Sequence, residues 1–200
     1  MYPVVLRLEG RRCLVVGGGR VARRKVEGLL ASGAVVTVVA PVVDDELRAL
    51  AADAGGRLTI EERSYREHDL GGAWLAIAAT DDAVVQRRVS DDGERAGVWV
   101  NAADNPDQCA LFLPAVHRRE PVIVAVSTEG TSPALAGWLR DRLAAALPPR
   151  LEELVAAVAA QRDAVRATGR STEGLDWRAR IDTLAAALDE RAPPGEGEGR

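Results

Sequence analysis

Apolar β-branched runs that alternate with helix-spaced apolar residues, and a glycine triplet at the first junction between them, predict an α/β fold. Purely helical spacing after Leu151 adds a C-terminal helical region. Arg12-Cys13-Leu14-Val15-Val16 is a continuous apolar run, as a strand buried on both faces requires, and it stops at Gly17-Gly18-Gly19. Val21, Ala22, Val26, Leu29 and Leu30 then recur at helical spacing up to Gly33. Val35 to Val39 forms a second strand ending before Pro41, and Leu47, Leu50 and Ala51 mark a second helix. Further strands are predicted at 58–60, 74–79 and 98–101, with a helix between Asp82 and Ala96. Strands that alternate with helices pair in parallel, so residues 1–113 read as one open sheet covered on both faces.

The rhythm then changes. Val122 to Val126 reads as a strand, and Ser132-Pro133 supplies an N-cap and a first-turn proline for a helix that runs to the stop at Pro148-Pro149. Residues 114–149 thus form a small segment of their own. Over 150–192, Leu151, Leu154, Val155, Val158 and Ala159 line one helical face; after Gly169, Trp177, Ile181, Leu184 and Leu188 line another. The glycine- and glutamate-rich stretch 193–200 is expected to be disordered.

Composition removes several functions. The 200 residues carry 26 basic side chains, of which Lys25 is the only lysine, and a net charge of −4. An acidic chain without clustered cations offers nucleic acid no counterion-releasing surface. No apolar run approaches the roughly 20 residues of a membrane span, and no leader pattern is present, so a cytoplasmic chain with no membrane partner is expected. Cys13 and Cys109 are expected to be reduced and buried. His68 and His117 lie far apart in sequence without a Cys-x-x-Cys pair, so no metal site is predicted. There is no Gly-x-x-x-x-Gly-Lys-Ser/Thr loop, and no tyrosine has a lysine four residues on, which removes P-loop and short-chain dehydrogenase chemistry.

Gly17-Gly18-Gly19-Arg20-Val21-Ala22 fits the dinucleotide pattern Gly-x-Gly-x-x-Gly/Ala directly after a strand and at the opening of a helix. Gly17 permits the tight turn, Gly19 lets a pyrophosphate approach the backbone, and Ala22 allows close helix-sheet packing. This makes the sheet Rossmann-like. No acid stands at the end of the second strand to take the ribose hydroxyls; Ala40-Pro41-Val42 does, with Asp44 and Asp45 a few residues late, so NAD is only mildly favoured over NADP. Thr80, after the strand at 74–79, is placed to face the cofactor, while Asp81 or Asp82 caps the next helix. Asp104, in Asn101-Ala102-Ala103-Asp104-Asn105-Pro106, reads equally as a proton acceptor or as an ordinary turn residue. Lys25, at the mouth of the anion site, is a candidate ligand contact against the plain reading of a solvated helix residue.

Four motifs in order resemble one family: Gly17-Gly18-Gly19-x-Val21-Ala22-x-Arg24-Lys25; Ala79-Thr80-Asp81-Asp82; Asn101-x-x-Asp104-x-Pro106-x-x-Cys109-x-x-Phe112-x-Pro114-Ala115; and Val126-Ser127-Thr128-x-Gly130-x-Ser132-Pro133. Together they are similar to the siroheme synthase N-terminal module, over residues 1 to about 150 and more weakly beyond. That family comprises precorrin-2 dehydrogenases, some of which are also sirohydrochlorin ferrochelatases and hence lyases. The resemblance implies oxidation of precorrin-2 with NAD, Asp104 as catalytic base, and Arg20, Val21, Pro41 and Val42 as NAD contacts. It implies a homodimer formed through 114–149, and Fe²⁺ or Co²⁺ as substrate where metal is inserted. Ser127 matches a position modified in some members, although a strand-end hydroxyl is the simpler reading. Arg118, Arg119, Arg140 and Arg142 are candidate clamps for the substrate's carboxylates, since guanidinium forks suit carboxylates. No methyltransferase domain follows in the sequence, which fits a stand-alone form. Two competing readings keep the fold: a non-catalytic dinucleotide-binding sensor, and a chelatase that retains the nucleotide fold as scaffold.

Overall fold

Residues 12–16 form the strand on which the sheet is built, because both of its faces are covered. Along β1 (Arg12–Val16), Cys13 and Val15 join one apolar cluster and Leu14 and Val16 the other, the two-residue period of a central strand. The computed structural model describes residues 1–190, which fall into two units that divide between Leu113 and Pro114. The stretch expected to be disordered, 193–200, lies outside the described residues.

In the first unit the order is β1, α1 (Arg20–Ala31), β2 (Val35–Ala40), α2 (Asp45–Asp53), β3 (Leu58–Glu62), β4 (Leu75–Ala78), α3 (Ala83–Ala96) and β5 (Trp99–Ala102). The strands lie β3-β2-β1-β4-β5, all parallel, with Val15 opposite Val38 on one side and Ile77 on the other. The chain thus leaves β1 toward one edge and returns after β3 to pair β4 with the other side of β1. That reversal opens a crevice at the carboxyl ends of β1 and β4, where doubly wound sheets bind ligands. One face of the sheet packs on Val26, Leu29 and Leu30 of α1 and Leu47 of α2, the other on Val89 of α3 with Tyr65 and Leu70. Burying Leu47 completely contributes about 2 kcal/mol. β3 runs two residues past the apolar stretch at 58–60, since an edge strand pairs on one side only.

The second unit holds a strand that the sequence reading passes over. β6 (Ala115–Arg119) pairs antiparallel with β7 (Val122–Val126), Ala115 opposite Val126 and Arg119 opposite Val122. Its Ala-Val-His-Arg-Arg sequence carries too little apolar alternation to announce itself; the Glu120-Pro121 turn before β7 was the available signal. α4 (Pro133–Ala145) packs on this hairpin, and α5 (Leu151–Ala167) packs on α6 (Trp177–Glu190). Ser132 caps α4 by accepting from the Leu135 N–H at 3.2 Å, as its sequence predicts. Among the described residues no helix is long and apolar enough to cross a membrane.

Close approach of α3 to the sheet rests on a glycine. A Cβ on Gly93 would lie 2.3 Å from Val100 Cγ2 and 3.0 Å from the Val98 carbonyl. Gly93→Ala is expected to destabilise the protein by about 1–3 kcal/mol, read as a lowered urea midpoint with an unchanged m value.

Candidate functional site

The turn after β1 is set by two close backbone approaches. Gly17 has φ +133°, and a Cβ there would stand 2.1 Å from the Ala79 carbonyl oxygen at the end of β4. Gly18 is hemmed in as tightly: its Cβ would meet the Val42 carbonyl at 2.1 Å, and its own carbonyl accepts from the Asp44 N–H at 2.8 Å. Gly18 is a constraint that the sequence pattern, which treats the middle position as free, does not reveal. Gly19 differs from both. A Cβ on it would meet nothing within 4 Å, no side chain caps α1, and no acid stands in its first turn. The opening N–H groups of α1 therefore present an anion-accepting end with room above Gly19. Ala22 is wholly buried, which lets α1 lie close on the sheet, while Arg20 is exposed and Val21 half-buried beside the turn.

At the end of β2, Pro41 and Val42 are exposed, and Val42 remains 79% accessible where Val43 turns inward. Asp44 and Asp45 have other duties. Asp44 caps α2 by accepting from the Leu47 N–H at 2.7 Å, and Asp45 pairs with Arg48 at 3.0 Å. After β4, Thr80 is half-buried and its Oγ1 accepts from the Asp82 N–H at 3.2 Å. Asp82, rather than Asp81, caps α3, accepting from Val84 and Val85 N–H groups at 2.9 and 3.1 Å.

The loop after β5 is held from two sides. Gln86 is a buried polar residue on the inner face of α3; its Nε2 donates to the Ala103 carbonyl at 2.7 Å, and its Oε1 accepts from Asn105 Nδ2 at 3.3 Å. Cys109 Sγ accepts from the Ala102 N–H at 3.2 Å and donates toward the Ala102 and Asn105 carbonyls. Asp104 sits between these anchors, exposed, with φ +60°. A left-handed aspartate is uncommon and persists where its neighbours fix the chain. The expectation that both cysteines are buried holds for Cys13 alone; Cys109 is half-buried because it serves as a loop anchor and not as core. Burial pushes the Cys13 thiol up to about 11. Burial also raises Cys109, against the pull of the Ala102 N–H.

Lys25 lies on α1 between the buried Ala22 and Leu29 positions and is itself half-buried. Desolvation, then the like charge of Arg24, lower its pKa, and the carboxylate of Asp104 opposes them, so the two side chains share an electrostatic neighbourhood. Lys25 has no hydrogen-bond or ion-pair partner among the described residues.

In the second unit the expected carboxylate clamps have structural partners. Arg119 makes a fork with Glu152 at 2.7 and 2.9 Å and donates to the Pro148 and Pro149 carbonyls, tying β6 to the start of α5. Arg140 pairs with Asp141, Arg142 lies over the Trp138 ring, and Arg118 is exposed. Ser127 is an exposed strand-end hydroxyl that accepts from the Glu129 N–H at 3.1 Å. His68 belongs to the first unit and His117 to the second; among the described residues no three His, Cys, Asp or Glu side chains group as metal ligands.

A five-stranded doubly wound sheet with a glycine turn at its reversal point defines a dinucleotide-binding protein of the Rossmann class. Residues 4–115 match the family described as "Putative NAD(P)-binding", and the chain belongs to that family; residues 119–146 match the sirohaem biosynthesis protein central segment. The chain is 44% identical to a siroheme synthase of Nitrosomonas europaea over 82% of its own length and 34% of that protein's. It is 38% identical to one of Nitrosococcus oceani over 98% of its length and 41% of the relative's. It spans about a third of the length of the first of these relatives. A solved structure of SirC, a precorrin-2 dehydrogenase, is similar with a TM-score of 0.66 and 28% identity, over 94% of this chain and 89% of that one.

The Cys109 anchor is open to a direct check. Cys109→Ala is expected to speed hydrogen exchange of the amides at 102–105, while Cys109→Ser, which keeps a donor and acceptor there, holds the exchange near the original rate.

Proposed function

We propose that the chain oxidises precorrin-2 to sirohydrochlorin with NAD. The observation that carries the reading is the anchored loop after β5 that presents Asp104, an exposed carboxylate in electrostatic reach of Lys25 on the helix that opens at the glycine turn. The open space over Gly19 and the uncapped start of α1 fit the pyrophosphate of a dinucleotide, with Gly17, Gly19 and Arg20 beside it, and Ala22 keeping the helix close. Exposed Pro41 and Val42 offer an apolar rest for the adenosine end; Asp44 and Asp45 are engaged elsewhere, and Arg48, the arginine that reaches this loop, is taken up by the Val43 carbonyl, Asp45 and Glu62, which supports NAD. Val21 and Thr80 border the crevice at the ends of β1 and β4. When bound, NAD⁺ supplies the acceptor for a hydride from a substrate carbon. The second hydrogen of the two removed leaves as a proton, and Asp104 is the base assigned to accept it, so that the products are sirohydrochlorin, NADH and a proton. Lys25 offers a cation to a substrate carboxylate beside that base; in the second unit, taken by itself, the exposed Arg118 and Ser127 are candidate substrate contacts. Arg119 is assigned instead to holding α5.

Ile123, Leu135, Trp138 and Leu143 expose apolar surface on the hairpin and α4 of the second unit, which supports a homodimer formed there, in cytoplasm where both thiols stay reduced. Insertion of Fe²⁺ or Co²⁺ into the product would draw on the same Asp104 for the macrocycle's N–H protons, and is tested by metal uptake without NAD.

Two variants separate cofactor from chemistry. Gly19→Ala is expected to melt as the original does yet bind NAD at least tenfold more weakly, because its methyl fills only the ligand's space. Asp104→Asn is expected to keep NAD affinity and lose roughly 10²-fold in the rate of NADH formation with precorrin-2; an unchanged rate refutes the base assignment. Sedimentation at micromolar concentration is expected to give twice the chain mass, and Trp138→Glu to return it to a single chain.

A further inference from the structure

A groove of about 660 Å³ runs along the outer side of α3 and ends at the Asp104 loop. Val84, Arg87, Arg88 and Arg95 line it from the helix, and Asn105 and Gln108 from the loop. Asn105, which lines its loop end, is held by Gln86, the residue that also anchors the Ala103 carbonyl, so the groove ends on the loop that carries Asp104.

The charges in the groove are unevenly satisfied. Asp92 is buried; it accepts the Tyr65 hydroxyl at 2.9 Å and pairs with Arg95, with Arg88 at 3.8 Å. Arg95 also reaches Glu67 at 2.9 Å. Arg87 has no hydrogen-bond or ion-pair partner among the described residues, and neither does the buried Oε1 of Gln108 at the loop end. The groove therefore offers an unpaired guanidinium for an anion. A macrocycle that carries carboxylates on its rim supplies one.

We infer that this groove seats a carboxylate arm of a polycarboxylate tetrapyrrole, paired with the Arg87 guanidinium. The inference rests on the proposed substrate and extends it to a surface outside the dinucleotide crevice. Asp91, one helical turn beyond Arg87, is the acid on that side of the groove, and it sets a limit on how strongly an anion is held.

The test is equilibrium binding of sirohydrochlorin to the full chain, followed by absorbance, with NAD affinity and thermal melting measured in parallel. Arg87→Glu is expected to weaken tetrapyrrole binding roughly tenfold or more, Arg87→Lys to weaken it less, and Asp91→Asn to tighten it. NAD affinity and melting should stay as they are, since Arg87 has no partner to lose. Equal tetrapyrrole affinity in the original and Arg87→Glu overturns the groove assignment alone. Equal affinity with a changed sedimenting mass does so too, and gives the groove to a second copy of the chain. If the original chain binds NAD but no tetrapyrrole, the substrate reading falls and the groove's ligand with it.

Discussion

The rest of the first unit depends on how near the backbone after β1 comes to its neighbours. Gly17 stands against Ala79 and Gly18 against Val42, each at a distance that leaves no room for a methyl group. These contacts join the ends of three adjacent strands, β2, β1 and β4, into one rim. The rim aims the first turn of α1 into the crevice and leaves the space above Gly19 as the free one. Without that approach the helix end would still carry its partial positive charge, but it would not face the point where the strand order reverses.

The opposite edge is arranged differently. There the Asp104 loop is fastened through side chains, Gln86 from α3 and Cys109 from the loop itself, and the strained φ of Asp104 is supported by those bonds. A backbone-fixed rim on one side and a side-chain-fixed loop on the other suit their proposed tasks. A pyrophosphate needs fixed N–H directions, whereas a proton acceptor needs one carboxylate held in one place. The second unit uses its arginines as ties, Arg119 above all, which bridges β6 and α5 through a carboxylate and two carbonyls.

The sheet was legible in the sequence because each strand is short, apolar and followed by a helix whose pattern changes period. The glycine turn was legible because strand and helix flank it. β6 escaped, since an exposed two-stranded hairpin buries little and so asks little of its side chains. Gly18, Gln86 and Cys109 escaped for a related reason: what they do depends on partners 7 to 24 positions away, such as Val42, Ala103 and Ala102, and no local pattern marks such a partner. Asp104 stood in the sequence as either base or turn. It is a turn residue by conformation and its carboxylate is exposed, so the turn reading does not exclude the other.

Among so many guanidinium groups, Lys25 has a practical meaning as well as a structural one. It carries the only side-chain amine in the 200 residues, and it is half-buried on the helix that opens at the glycine turn. An amine-reactive acyl reagent therefore meets one side-chain position in the whole chain. The mass increment on the peptide that carries Lys25, read apart from the N-terminal amine, then reports on access to the crevice mouth with no need for an engineered label.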